Sequence, residues 1–204
     1  LTAPSPDSVR SLVGDGALEV LAEVTNQYAG LPPDAPEMRP YWALAEELDI
    51  PVGIHMGPGP PGATYLAYPE YRASLGNPLL LEDVLARHPR LRVYVMHAGF
   101  PFLDDLKALL YAHPQVHVEI GVLSFTRPRA DLYRFLEALV DAGFESRIMF
   151  GSDQMNWPEA IVRAIEAVEG APFLTEAQKR AILYDNAARF LRLGPEERER
   201  HLGG

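Results

Sequence analysis

Short apolar runs rich in β-branched residues recur along the chain: ALEVLAEV (17–24), IPVGIHM (50–56), LRVYVMH (91–97), VHVEIGV (116–122) and RIMFGSD (147–153). Runs this short, with few polar interruptions, predict strands buried on both faces, as in parallel sheets. Between them apolar positions return every three or four residues: EMRPYWALAEELD (37–49), NPLLLEDVLARHP (77–89), PFLDDLKALLYAHP (101–114), PRADLYRFLEALVDAG (128–143) and WPEAIVRAIEAVEG (157–170). That spacing predicts helices, and the prolines and glycines at their ends mark the boundaries. Strand–helix alternation of this kind predicts parallel βαβ units with right-handed crossovers. Two α/β architectures satisfy it, an open doubly wound sheet and a (β/α)8 barrel. A last segment, LTEAQKRAILYDNAARFLRL (174–193), predicts a long amphipathic helix with Thr175 as N-cap and Glu176 in its first turn, followed by a short NAARFLRL helix.

Composition narrows the functions open to such a chain. Its 204 residues, 48% hydrophobic and 23% charged, are the material of one globular domain spanning 1–204, with a polar, flexible tail at 195–204. Eighteen basic residues against 28 acidic ones leave a net charge of −10, which argues against a nucleic-acid footprint or an anionic membrane surface and leaves a small organic substrate. The absence of cysteine removes disulfides, thiolate zinc sites and thiol nucleophiles, so any metal must be held by His, Asp or Glu. No apolar run approaches the ~20 residues of a membrane span. The opening LTAPSPDSVR has neither a basic stretch nor an apolar one, and a cytoplasmic location is the expectation. It also lacks an initiator Met, which suggests residues upstream.

Three strands finish on a polar residue: Ile54-His55, Met96-His97 and Ser152-Asp153. Singly, a strand-end histidine is most often a hydrogen-bonded structural residue, and an aspartate a turn or helix cap. Parallel barrel strands carry their C-terminal residues to a common rim, however, and there two imidazoles and a carboxylate suit a divalent metal such as zinc, with room for an activated water. A cation would also keep Asp153 ionised against the desolvation of its position. Glu23, on the first strand, is a candidate further ligand or base, and Glu119 a candidate supporting partner. His88, His113 and His117 flank helix ends away from the rim, His88 and His113 as C-caps, and His201 falls in the polar tail. The long segment 57–76 follows a strand end, where long loops tend to be functional. Its GPGPPG stretch lacks the N–H donors of a phosphate cradle and predicts a rigid rim loop. Tyr65, Tyr68 and Tyr71 are candidates for an aromatic wall, with Tyr65 and Trp157 the candidate substrate contacts. GFPF (99–102) predicts a helix start after His97.

The motifs PYWALAEELDIPVGIHMGPG, VYVMHAGFPFLDDL and RIMFGSDQMNWP, together with the C-terminal helix pair, resemble the amidohydrolase-related family of metal-dependent (β/α)8-barrel enzymes. The likeness runs from AEVTNQYAGLPPDAP to NAARFL. It implies a TIM barrel of which the chain supplies strands 4 to 8, with Glu23 on strand 4. His55 then matches the metal-binding histidine after strand 5. His97 matches the strand 6 histidine, which binds a second metal or activates water or substrate. Asp153 matches the metal-binding or proton-shuttling carboxylate after strand 8. None of the six histidines has another two places away, so the family's strand 1 His-x-His pair has no counterpart. The resemblance implies zinc, with manganese the alternative, and an occupancy weakened without that pair. It implies hydrolysis of a small ester, lactone or amide by a metal-activated water. The alternatives are a decarboxylase or hydratase of an aromatic or unsaturated acid, and a non-catalytic half-barrel. Exposed strand edges at 17–24 and 147–153 predict a homodimer.

Overall fold

A computed structural model describes residues 4–203, in which each of the five apolar runs supplies a strand. Chain contacts gather into two units, Leu1–Val116 and His117–Gly204.

The first unit begins with a helix the apolar pattern did not predict, α1 (Pro6–Gly14). It buries only Val9, too little for a periodic signal, and owes its start to capping: Ser5 accepts a hydrogen bond from the Ser8 N–H at 3.2 Å and Pro6 occupies the first turn. There follow β1 (Leu21–Val24), α2 (Arg39–Leu48), β2 (Val52–His55), a short α3 (Ala63–Leu66) in the long loop, α4 (Glu82–Arg87), β3 (Val93–Met96) and α5 (Leu103–Ala112). β1 pairs with β2 and β2 with β3, all parallel. The β2–β3 register runs without interruption from Val52↔Val93 to His55↔Met96, so the ends of these strands are level.

β2 is buried along its whole length, as its sequence predicts. β1 is not, because its two middle residues, Ala22 and Glu23, are exposed. Val52, Ile54, Val93 and Val95 of the strands and Trp42, Leu85, Leu106 and Leu109 of the helices are all buried in this unit. The helix expected at 77–89 opens as a 3-10 turn, Pro78–Leu81, in which Asn77 accepts from the Leu79 N–H at 2.9 Å. His88 and His113 stand at the C-caps of α4 and α5. The helix start expected at GFPF comes later, with Phe102 capping α5.

The second unit contains β4 (Val116–Glu119), which begins at its boundary, α6 (Leu123–Thr126), α7 (Arg129–Asp141), β5 (Ile148–Met149), α8 (Glu159–Glu169), α9 (Glu176–Arg180), α10 (Asn186–Phe190) and α11 (Pro195–Leu202). β4 and β5 are parallel, with Val118↔Ile148 and Glu119↔Met149 in register. His117 lies inside β4 against the Phe190 ring, 4.6 Å between centroids, and not at a helix end as the sequence suggested.

β5 is shorter than the run 147–153, since the Phe150 N–H leaves the strand ladder for the carbonyl of Ile182 at 2.8 Å. That carbonyl belongs to a π turn, Ala181–Asp185, joining α9 to α10. α9 starts at the expected cap, where Thr175 and Gln178 form a reciprocal capping box. Fully buried Asn186 then donates to the carbonyls of Glu145 at 2.8 Å and Ile148 at 2.7 Å, fastening α10 to the start of β5. The segment expected as a flexible tail is helical over Pro195–Leu202, and His201 within it meets the Tyr184 hydroxyl at 3.2 Å. No helix among the described residues is long and apolar enough to cross a membrane.

Candidate metal centre

Three residues from successive strands of the first unit converge. Glu23 lies in β1, His55 ends β2, and His97 is the first residue beyond β3. Glu23 Oε1 is 2.5 Å from His55 Nδ1 and 3.2 Å from His97 Nε2, and the two ring nitrogens are 3.0 Å apart.

Backbone packing holds the two histidine-bearing strand ends together. His97, Ala98 and Gly99 take positive φ values of 56°, 45° and 57°, which turns the chain sharply out of β3. A Cβ on Gly57, two residues past His55, would overlap the carbonyl oxygen of Phe100, so the two exits touch backbone to backbone. The Gly57 N–H also donates to Gly76 at 2.7 Å, closing the base of the long loop.

The two histidines are each 7% exposed, and the Glu23 side chain is 28% accessible. Burial pushes the Glu23 carboxyl up, but the hydrogen bonds from His55 and His97 and their positive charge outweigh it and bring the group to about 2. Glu23 is therefore an anion at neutral pH. One oxygen and two imidazole nitrogens, all within 4.8 Å of one another, offer an N2O donor set of the kind that suits a divalent ion. Nε2 of His55, the ring nitrogen not facing Glu23 and His97, is buried and has no hydrogen-bond partner among the described residues. The donor chemistry fits zinc or manganese.

An aromatic cluster lies against this triad. The Tyr28 ring meets the His55 imidazole edge-on at 5.2 Å, with Tyr68 at 4.7 Å and Tyr71 at 5.2 Å from Tyr28. The Tyr71 hydroxyl accepts the Gly59 N–H, pinning the proline-rich loop. Two of the three expected wall tyrosines are thus present, but Tyr65 points out at 91% exposure. Tyr28 is the ring that meets His55 instead, in TNQY directly after a strand end, a position that gives no signal distinct from a core aromatic.

Asp153 and Trp157 belong to the second unit. Asp153 sits in the exit from β5 at φ 51° and does not cap α8, whose N-cap is Pro158. Trp157 is 65% exposed. Glu119, at the end of β4, is buried at 7% exposure and accepts the Gly121 N–H.

An amidohydrolase family model matches residues 13–193. No protein of curated function matches the chain. Among solved structures, an uncharacterized TIM-barrel protein from Bordetella bronchiseptica is 18% identical at a TM-score of 0.70, with 94% of this chain and 64% of that one covered. A probable 2-pyrone-4,6-dicarboxylic acid hydrolase from Acinetobacter baumannii, solved with citric acid, is 16% identical at 0.65, covering 93% and 70%. A dihydroxybenzoic acid decarboxylase from a Polaromonas species, solved with manganese and the inhibitor 2-nitroresorcinol, is 18% identical at 0.57, covering 80% and 56%. The chain spans less than two thirds of the Bordetella and Polaromonas proteins, at 64% and 56% of their lengths. At these identities the likeness establishes the fold, α/β of the TIM-barrel type. With the family model matched across residues 13–193, the chain belongs to the amidohydrolase family.

Proposed function

We propose that the chain carries a divalent-metal site of a hydrolase acting on a small organic ester, lactone or amide. The observation that carries this reading is the convergence of Glu23, His55 and His97 on one point, with the carboxylate held ionised. A bound zinc or manganese ion would supply Lewis acidity and an activated water. Glu23 supplies the anionic ligand and His55 a buried imidazole, oriented by the Tyr28 edge. His97, rigidly presented by its left-handed turn, holds water or stabilises the developing oxyanion. The family resemblance gives Asp153, in the second unit, the role of proton carrier.

The test combines binding and turnover. Cobalt(II) titrated into the metal-free chain should give one visible-absorbing site per chain, lost in His55→Ala. In a screen of esters, lactones and amides, Asp153→Asn should lower turnover by about 100-fold or more. Unchanged turnover in that variant, or no cobalt site, would sink the reading.

A second reading, decarboxylation or hydration of an aromatic or unsaturated acid, is favoured by the manganese-bound Polaromonas decarboxylase of like fold. Carbon dioxide release from hydroxybenzoates, without ester or lactone cleavage, would select it.

A further inference from the structure

Glu119 is a buried carboxylate that the proposed chemistry does not use. It closes β4, in register with Met149 of β5, at the point where both strands hand over to their exit turns. Its carboxylate accepts the Gly121 N–H, two residues ahead, and so folds back over its own strand end. Both exits are shaped around it. A Cβ on Gly121 would overlap Oε1 and stand 3.0 Å from Oε2, and a Cβ on Gly151 would overlap Oε1 and Cδ and stand 2.8 Å from Cγ. A side chain at either place would have to push the Glu119 carboxylate out of its present position. Beyond each glycine the backbone is strained: Val122, β-branched, sits at φ 66°, and Asp153 at φ 51°.

We propose that Glu119 is a positioning residue, a carboxylate wedge between Gly121 and Gly151 that fixes the turn carrying Asp153. An apolar side chain of the same size would fill the space but remove the oxygen to which the Gly121 N–H donates, and a shorter one would let the 151–153 turn collapse inward. The inference rests on the proposed function in one respect, that Asp153 takes part in the reaction.

The test uses the full chain with Glu119→Ala, Glu119→Gln, Gly151→Ala and the Glu119→Ala/Gly151→Ala pair. Glutamine keeps an oxygen for the Gly121 N–H, so Glu119→Gln should leave amide hydrogen exchange at 151–153 within about twofold of wild type, whereas Glu119→Ala should speed it by about 10-fold or more. Gly151→Ala should lower the melting temperature in the wild-type background and be tolerated beside Glu119→Ala. With any substrate that the screen yields, Glu119→Ala should lower kcat by about 100-fold and leave KM near wild type, the signature of a displaced catalytic group. Exchange at 151–153 unaltered by Glu119→Ala, glutamine as harmful as alanine, or Gly151→Ala equally disruptive in both backgrounds would each overturn the proposal. If Asp153→Asn leaves turnover intact, the functional reading fails, while exchange and the glycine coupling still decide this one.

Discussion

At the scale of single residues, the site depends on where the chain can bring backbone against backbone. Gly57 combines φ 87° with the carbonyl of Phe100 occupying the place of a Cβ, whereas Gly62, at φ 77°, meets nothing nearer than 3.8 Å. Gly57→Ala should therefore lose about 3 kcal/mol of stability, from the left-handed conformation and the overlap together, and Gly62→Ala about 1 kcal/mol from conformation alone. Urea unfolding of the two variants checks this, and equal losses would mean that the Gly57–Phe100 contact carries no weight. His55 and His97 were legible in the sequence because a polar residue at the end of an apolar strand breaks the pattern. Glu23 was legible as a candidate because it is a charged residue within an apolar strand. Tyr28 was not, since an aromatic after a strand is indistinguishable from core. Among Tyr65, Tyr68 and Tyr71, spacing could not say which face outward, a matter settled by the turns of α3 and the hydroxyl bond to Gly59.

At the scale of elements, propensity and capping placed the long helices, and tertiary bonds set where strands stop. β5 ends at Met149 because Phe150 finds its acceptor in the π turn, a partner far along the chain that no local pattern announces. α1 escaped the periodic reading because one buried valine makes no stripe, though Ser5-Pro6 is a start signal in its own right. Between α2 and the end of α4 the join is electrostatic: Glu46 meets His88 Nδ1 at 3.0 Å and accepts the Arg90 N–H at 2.9 Å. Burial raises the Glu46 carboxyl, but those hydrogen bonds prevail and hold it below its ordinary value of 4.5. A carboxyl depressed in the native state adds stability above that ordinary value and loses it as pH falls through the native one. Wild type should thus exceed Glu46→Gln in urea midpoint at pH 5.5, with the gap closing progressively below pH 4.5. A gap independent of pH would remove the ionised carboxylate from the account.

For the molecule as a whole, a metal bound at the proposed site would link binding to folding, because Glu23, His55 and His97 lie far apart in the unfolded chain. Zinc or manganese at 100 times its dissociation constant should raise unfolding free energy by about 2.7 kcal/mol, and chelator should reverse the gain. His55→Ala should show no such gain at the same metal concentration, and an equal shift in both proteins would place the ion elsewhere. The α/β class was legible in strand–helix alternation and the barrel in the family resemblance, whereas the Glu23–His55–His97 cluster was legible only in part, since the sequence grouped the two histidines with Asp153 and left Glu23 as a further candidate. The bond from Phe150 to Ile182, and those from Asn186 to Glu145 and Ile148, also have a consequence in time. On the ribosome, β5 emerges before the residues that complete its hydrogen bonding, so the carbonyls and N–H groups at its ends stay open until Ile182 and Asn186 clear the exit tunnel. The second unit therefore cannot finish folding strand by strand as it is made; its last strand waits for its last helices.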